Sequence, residues 1–310
     1  MLRSALLYLS GADWARSVVT HFFVARRVAR RFVAGESLEE AIGVVRKLQA
    51  AGLEVTLDFL GESVHSEADA RGAAEQYLQL LDAIETHQLR ATVSLKLTQL
   101  GLDISEDLCL ENMRRILEKA RALNNHITID MESSAYTDVT LRIYRTLRHE
   151  YGFDNVGVVI QAYLYRSTAD MEALREEGAF VRLCKGAYKE PPDRAFPSKA
   201  DVDANFVRLM RAYLSNGTTD TGAYLAVATH DQKIIDEMRR FAREAAISND
   251  CFEFQMLYGI RADLQQELAQ QGYTMRVYVP FGTQWYPYFM RRLAERPANL
   301  WFFVSNLFRG

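Results

Sequence analysis

Eight short apolar runs, separated by stretches of helical periodicity, constrain this chain more than any other feature. They fall at 54–60, 91–97, 126–131, 156–162, 180–185, 224–228, 251–255 and 274–279. Most are near-continuous in Val, Ile and Leu, the pattern of parallel strands covered on both faces. Tyr77, Leu80, Leu81 and Ile84 keep the i, i+3, i+4, i+7 spacing of a buried helix face, as do Met113, Ile116, Leu117 and Ala120. Val202, Phe206, Leu209, Met210 and Tyr213 form a third stripe, with Asp201 and Asp203 in its first turn, where carboxylates favour a helix N-terminus. Weaker helical patterns occupy 138–149, 167–177, 232–246, 261–271 and 285–295.

A strand followed by a helix, eight times over, predicts an α/β fold of the (βα)₈ barrel type. A doubly wound sheet shares the alternation, but its GxGxxG turn is absent. An extra helical region covers roughly 13–50, so the chain divides into an N-terminal helical segment, 1–50, and a barrel, 51–310. The stretch 190–199 contains Pro191, Pro192 and Pro197 and reads as a long loop after the fifth strand, a place where function often resides.

Composition narrows the function. The net charge of −3 gives no reason to expect nucleic-acid binding. Cys109, Cys184 and Cys251 show no CxxC spacing, which argues against a zinc knuckle or a disulfide scaffold and for a reducing compartment. No apolar run reaches the roughly 18 residues of a membrane span, and no secretory signal stands out, so a cytoplasmic protein is expected.

Barrel active sites lie at the carboxyl ends of the strands. The polar residues expected there are Asp58, Glu62, Lys96, Asp130, Glu132, Gln161, Arg182, Lys185, Thr229, His230, Glu253, Gln255 and Tyr278. Folding alone does not require such a rim. No HxH or HExxH motif points to a metal. Gly282 is only weakly compatible with a phosphate-binding turn. The pair Arg291–Arg292 reads either as a solvated basic face or as a bidentate carboxylate clamp. Trp285, Tyr286, Tyr288 and Phe289 flank it, which is not the setting of a simple surface helix.

Several of these segments form a recognisable series. VRLCKGAY at 181–188, ATHD at 228–231, FEFQMLYG at 252–259, VYVPFG at 277–282 and RRLAERPAN at 291–299 resemble proline dehydrogenase. So do LGE at 60–62, SLK at 94–96 and IDME at 129–132. Together they span about 55–305, in the family's order. The resemblance implies a distorted barrel with its last helix over the carboxyl ends of the strands. It also implies FAD, and oxidation of L-proline to Δ1-pyrroline-5-carboxylate. The chain's length matches the monofunctional bacterial form, without an aldehyde dehydrogenase module.

By resemblance, Arg291, Arg292 and Lys96 bind the proline carboxylate, and Asp130, Tyr188, Leu257 and Tyr278 line the pocket. Glu62 is the gate that pairs with the first clamp arginine. Met131, Gln161, Arg182, Lys185, Gly186, Ala187, Thr229 and His230 contact the flavin, with Arg182 near its reactive edge. Asp130 and Arg182 are the catalytic candidates. The chemistry agrees: proline needs fixed positive charge at one end of its site and an apolar slot for its ring. Asp130 is expected to hold Lys96 or a clamp arginine in place, or else to be a purely structural ion pair. Cys184 is expected to be a small core hydrophobe.

Val18, Val19, Phe22, Phe23, Val28 and Phe32 interleave with Arg16, Arg26, Arg27, Arg30 and Arg31. Such a segment covers a barrel end with its arginines in water, or lies on an anionic membrane surface. The first is favoured. The second stays open because the family commonly passes electrons to a membrane quinone. Two other functions compete: a flavin-free enzyme using Lys96 as a Schiff-base amine, and a non-catalytic amino-acid sensor.

Overall fold

The computed structural model describes residues 29–61, 64–215 and 221–295. Eight parallel strands close into a barrel in chain order. They are β1 (Glu54–Phe59), β2 (Ala91–Leu95), β3 (Ile127–Ile129), β4 (Val156–Gln161), β5 (Phe180–Cys184), β6 (Tyr224–Ala228), β7 (Phe252–Leu257) and β8 (Met275–Phe281). Closure is made by β1, which pairs with β2 from Val55↔Ala91 to Asp58↔Ser94 and with β8 from Glu54↔Arg276 to Phe59↔Phe281.

Helix α1 (Leu38–Ala50) precedes the barrel. After the strands come α2 (Glu67–Thr86), α3 (Glu106–Ala122), α4 (Thr137–Arg145), α5 (Ser167–Glu176), α6 (Lys199–Leu214), α7 (Gln232–Glu244), α8 (Ala262–Gln270) and α9 (Trp285–Glu295). Ser66, Ser105, Ser198 and Asp231 cap α2, α3, α6 and α7 with side-chain oxygens, satisfying amides that the first turn leaves open.

Strand side chains alternate between the two faces of the barrel wall. One set, including Val55, Leu57, Val93, Ile127, Val158, Val181, Leu225, Phe254 and Val277, is fully buried in the main apolar core. The alternate set is unusually polar for a buried surface: Thr56, Asp58, Ser94, Thr128, Gln161, Arg182, Glu253 and Gln255. At the amino ends of the strands, His126 packs on Phe180 with ring centroids 4.5 Å apart, and Phe180 stacks on Tyr224 at 5.3 Å. These rings plug that end of the barrel.

A second apolar cluster sits at the opposite end. Trp285, Tyr286, Tyr288, Phe289, Met290 and Leu293 of α9 are buried against Ala29, Phe32 and Val33, with Leu60 and Ile260 from the loops after β1 and β7. The incoming segment is tied to β8 by hydrogen bonds from Ala34 N to Pro280 O (2.8 Å) and from Gly282 N to Gly35 O (2.9 Å). Trp285 Nε1 donates to Glu36 at 2.9 Å. Gly259 permits this approach: its φ is +75°, and a Cβ there would lie 1.7 Å from the Arg31 carbonyl oxygen.

The covering reading of the arginine-rich segment therefore holds for its described part. Phe32 is buried, while Arg30 is exposed and paired with Glu40 at 2.7 Å. Val18, Val19, Phe22, Phe23 and Val28, with Arg16, Arg26 and Arg27, lie outside the described residues. Among the described residues no helix is long and apolar enough to cross a membrane.

Candidate active site

One cavity of about 650 Å³ opens at the carboxyl ends of the strands beneath α9. Its centre is a network of ion pairs and hydrogen bonds carried by six strands. Asp130, just past β3, accepts from Arg182 Nη1 of β5 at 2.7 Å, from the Tyr278 hydroxyl of β8 at 2.7 Å and from Lys96 Nζ at 3.4 Å. Lys96, just past β2, also donates to Asp58 of β1 at 3.2 Å. Arg182 Nη1 reaches Ser94 Oγ at 2.9 Å, Arg182 Nε donates to Gln255 Oε1 of β7 at 2.6 Å, and the guanidinium lies 5.2 Å from the Tyr278 ring centroid. Arg182 Nη2 is buried and has no hydrogen-bond partner among the described residues.

Burial and charge compete in this network. Burial pushes the Asp58 carboxyl up; the Lys96 ammonium opposes that, and neighbouring Asp130 adds to it. Burial would lower the Lys96 ammonium, but Asp58 and Asp130 outweigh it and hold Lys96 firmly protonated. The Tyr278 hydroxyl is raised by burial and by both carboxylates, so it stays a donor. Burial pushes the Cys184 thiol up to about 12, which leaves it protonated and unreactive at neutral pH.

Along one wall of the cavity lie Met131, Gln161, Lys185, Gly186, Ala187, Thr229 and His230. Gln161 is fixed by donation from its Nε2 to the Glu132 carbonyl at 2.8 Å. His230 Nε2 accepts from Leu257 N at 2.9 Å, which places any ring proton on Nδ1. Lys185 is gripped by Asp203 at 2.5 Å and Asp231 at 2.8 Å. Burial alone would raise Asp231, but hydrogen bonds from Lys185 and Lys199 bring it down to about 2.

The roof belongs to α9, which presents Tyr288, Arg291 and Arg292 to the cavity. The Arg292 guanidinium lies 5.0 Å from the Tyr288 ring centroid. Tyr188 and Leu257 complete the lining. Tyr188 is carried by the loop after β5, which Glu190 ties down: its Oε1 accepts from Ser134 N at 2.7 Å and from the Tyr163 hydroxyl at 3.3 Å.

The family description "Proline dehydrogenase" matches residues 41–304. The chain is 46% identical to "Proline dehydrogenase 1" of Bacillus subtilis over 312 residues, covering 100% of both. It is 46% identical to "Proline dehydrogenase" of Deinococcus radiodurans over 286 residues, covering 91% of each. This chain belongs to the proline dehydrogenase family. Among solved structures, proline utilization A of Bdellovibrio bacteriovorus superposes with a TM-score of 0.81 at 27% identity. That match covers 87% of this chain and 33% of the larger protein, so the chain spans about a third of that relative's length.

Proline dehydrogenase membership makes the chain an oxidoreductase of proline metabolism. The cavity gathers Lys96, Asp130, Met131, Gln161, Arg182, Lys185, Gly186, Ala187, Tyr188, Thr229, His230, Leu257, Tyr278, Arg291 and Arg292, all expected from the sequence. Glu62 lies outside the described residues. Asp130 was expected to pair with Lys96 or a clamp arginine; its partners are Lys96, Arg182 and Tyr278. Lys185, expected among the flavin contacts, carries two aspartate partners. The roles of Asp58, Ser94 and Gln255 as holders of this network were not anticipated. An available signal was their position at alternate, inward sites of apolar strands.

Proposed function

We propose that this proline dehydrogenase is a flavoenzyme that oxidises L-proline to Δ1-pyrroline-5-carboxylate, with FAD along the β4–β7 side of the cavity. We propose further that its electrons pass to a quinone-type acceptor, which a cytoplasmic enzyme reaches through peripheral contact with the inner face of the cell membrane. The observation that carries the reading is the convergence of Lys96, Arg291 and Arg292 with Leu257 and Tyr278 beside Arg182 Nη2, which has no hydrogen-bond partner among the described residues, all in one cavity.

The residues present fit a flavin. A buried guanidinium nitrogen without a partner costs free energy unless a ligand meets it. Gly186, at φ +108°, packs directly on Tyr163, where a Cβ would lie 2.4 Å from the ring, so the chain passes there as bare backbone. Met131, Gln161, Thr229 and His230 offer the polar and apolar edges that a planar ring system needs. FAD would supply the hydride acceptor.

The protein's own residues do the rest. Arg291 and Arg292 grip the proline carboxylate with planar forks, and the protonated Lys96 adds a third positive charge. Leu257, Tyr278 and Tyr188 enclose the ring. The substrate loses a hydride from the ring methylene carbon bonded to nitrogen, not from the carboxylate-bearing carbon, and the nitrogen gives up a proton to solvent, leaving the C=N bond. Asp130, saturated by Lys96, Arg182 and Tyr278, holds those three groups in register. Its role is therefore positioning as well as charge balance. Arg182 would hold a fixed positive charge beside a bound flavin ring, which favours the more negative, reduced form of that group.

Denaturing the purified protein and assaying the released flavin tests the cofactor. About one FAD per chain is expected, together with proline-dependent reduction of a soluble quinone analogue. Proline turnover by protein free of flavin would overturn the proposal.

A further inference from the structure

We infer that Gln255, oriented by Glu253 and Arg276, is a positioning residue that aims Arg182 into the site. The inference rests on the reading that Arg182 faces the flavin ring. A neutral amide has two ends of similar shape and opposite polarity. At Gln255 only one orientation satisfies both neighbours. Its Nε2 donates to Glu253 Oε1 at 2.5 Å, which turns Oε1 toward Arg182 Nε at 2.6 Å. Reversal would set an NH₂ against the Nε–H and a carbonyl against a carboxylate.

Glu253 is itself immobilised. Arg276 donates to it through Nε at 2.8 Å and Nη2 at 3.0 Å, and the Tyr224 hydroxyl lies 3.4 Å from its Oε2. Arg276 Nη1 in turn reaches the Val55 carbonyl at 3.1 Å, across the seam where β8 meets β1. Glu253 is 1% exposed, Gln255 3% and Arg182 5%, so water does not compete for these bonds.

Arg182 is thereby held at Nε by Gln255 and at Nη1 by Asp130 and Ser94, which leaves Nη2 as the donor for a bound group. Neither Glu253 nor Arg276 lines the cavity. They act through the polarity of one amide.

The test compares Gln255→Leu, Arg182→Met and a swap, Gln255→Glu with Glu253→Gln, all loaded with FAD. The swap keeps the net charge: the new carboxylate at 255 accepts from Arg182, and the new amide at 253 donates to it and accepts from Arg276 Nη2, at the loss of the bond from Arg276 Nε. Gln255→Leu is expected to slow flavin reduction about tenfold. It should also shift the flavin midpoint potential negative, in the direction of Arg182→Met, with a smaller change in proline KM. The swap should restore most of both. A Gln255→Leu protein with the parent potential and reduction rate, beside a shifted Arg182→Met, overturns the positioning role alone. If Arg182→Met shifts neither quantity, the placement of Arg182 falls, and the inference with it. If Gln255→Leu does not fold, the swap decides: a folded swap whose potential stays at the Arg182→Met value overturns the inference.

Discussion

Lys96 shows how neighbours override burial. An enclosed amine alone would lose its proton and become a nucleophile, but Asp58 and Asp130 keep it an ammonium. The Schiff-base alternative needs a free amine at that position, and the geometry opposes it. The clamp gives a direct expectation at the same scale. Arg292→Ala removes one charged partner of a buried carboxylate, a loss of roughly 2–5 kcal/mol that should appear as a large rise in proline KM with flavin retained. Arg292→Lys should recover little, because an ammonium cannot form the planar fork. Steady-state kinetics at matched FAD occupancy checks both; a near-normal KM in either variant counts against the clamp.

His126 carries a pH dependence of its own. Burial, with Arg276, Arg182 and Arg148 nearby, drives its imidazole down to about 3. The unfolded chain protonates this group below about pH 6.5 while the folded chain does not. Its contribution to stability is therefore complete above about pH 6.5 and is lost progressively as pH falls toward the folded value. Between about pH 7 and pH 5, His126→Gln should show a shallower decline of Tm than the parent protein. Parallel declines would remove His126 as a source. Lys96, Asp130, Arg182 and Tyr278 were legible as site candidates because polar residues at the ends of apolar strands stand out. The chain from Gln255 to Arg276 was not, since an amide's orientation depends on neighbours from other strands.

At the level of elements, the strand–helix alternation was read almost to the residue, and the ends of the strands less well. The run at 126–131 suggested a long third strand, yet only Ile127–Ile129 pair as β3, and Asp130 turns to its three partners. The run ending at 255 continues as strand to Leu257, which carries that side chain into the cavity. Apolar continuity reports burial, whereas strand ends depend on pairing. The Thr146–Glu150 turn of π-helix after α4 left no periodic signal of its own. The packing of α9 is separate from the main core, which gives it a separable energetics. Phe32 is 2% exposed and its ring centroid lies 6.3 Å from that of Phe289. Phe32→Ala should destabilise this cluster by roughly 3–5 kcal/mol. Proline KM should rise as α9 loses its seat, and the flavin should stay bound. Unchanged KM with a lowered Tm would show that the cluster supports folding without placing the clamp.

Across the whole molecule, a barrel whose outer wall is apolar and whose interior is polar assigns stability and chemistry to opposite faces of the same strands. Val55, Leu57, Val181 and Val277 pack outward against helices, while Asp58, Arg182, Gln255 and Tyr278 face inward toward the cavity. Aromatic rings close one end and α9 roofs the other, so on the proposed reading a substrate carboxylate would meet fixed partners at the carboxyl end of the barrel. The fold and the family were legible because both rest on patterns spread over the whole chain. On the proposed reading this cavity brings proline and a flavin together for direct oxidation. Anaerobic addition of L-proline to the FAD-loaded protein tests it. Stoichiometric bleaching of the oxidised-flavin absorption by L-proline is expected. Fully loaded protein that keeps its oxidised spectrum under saturating L-proline would contradict it.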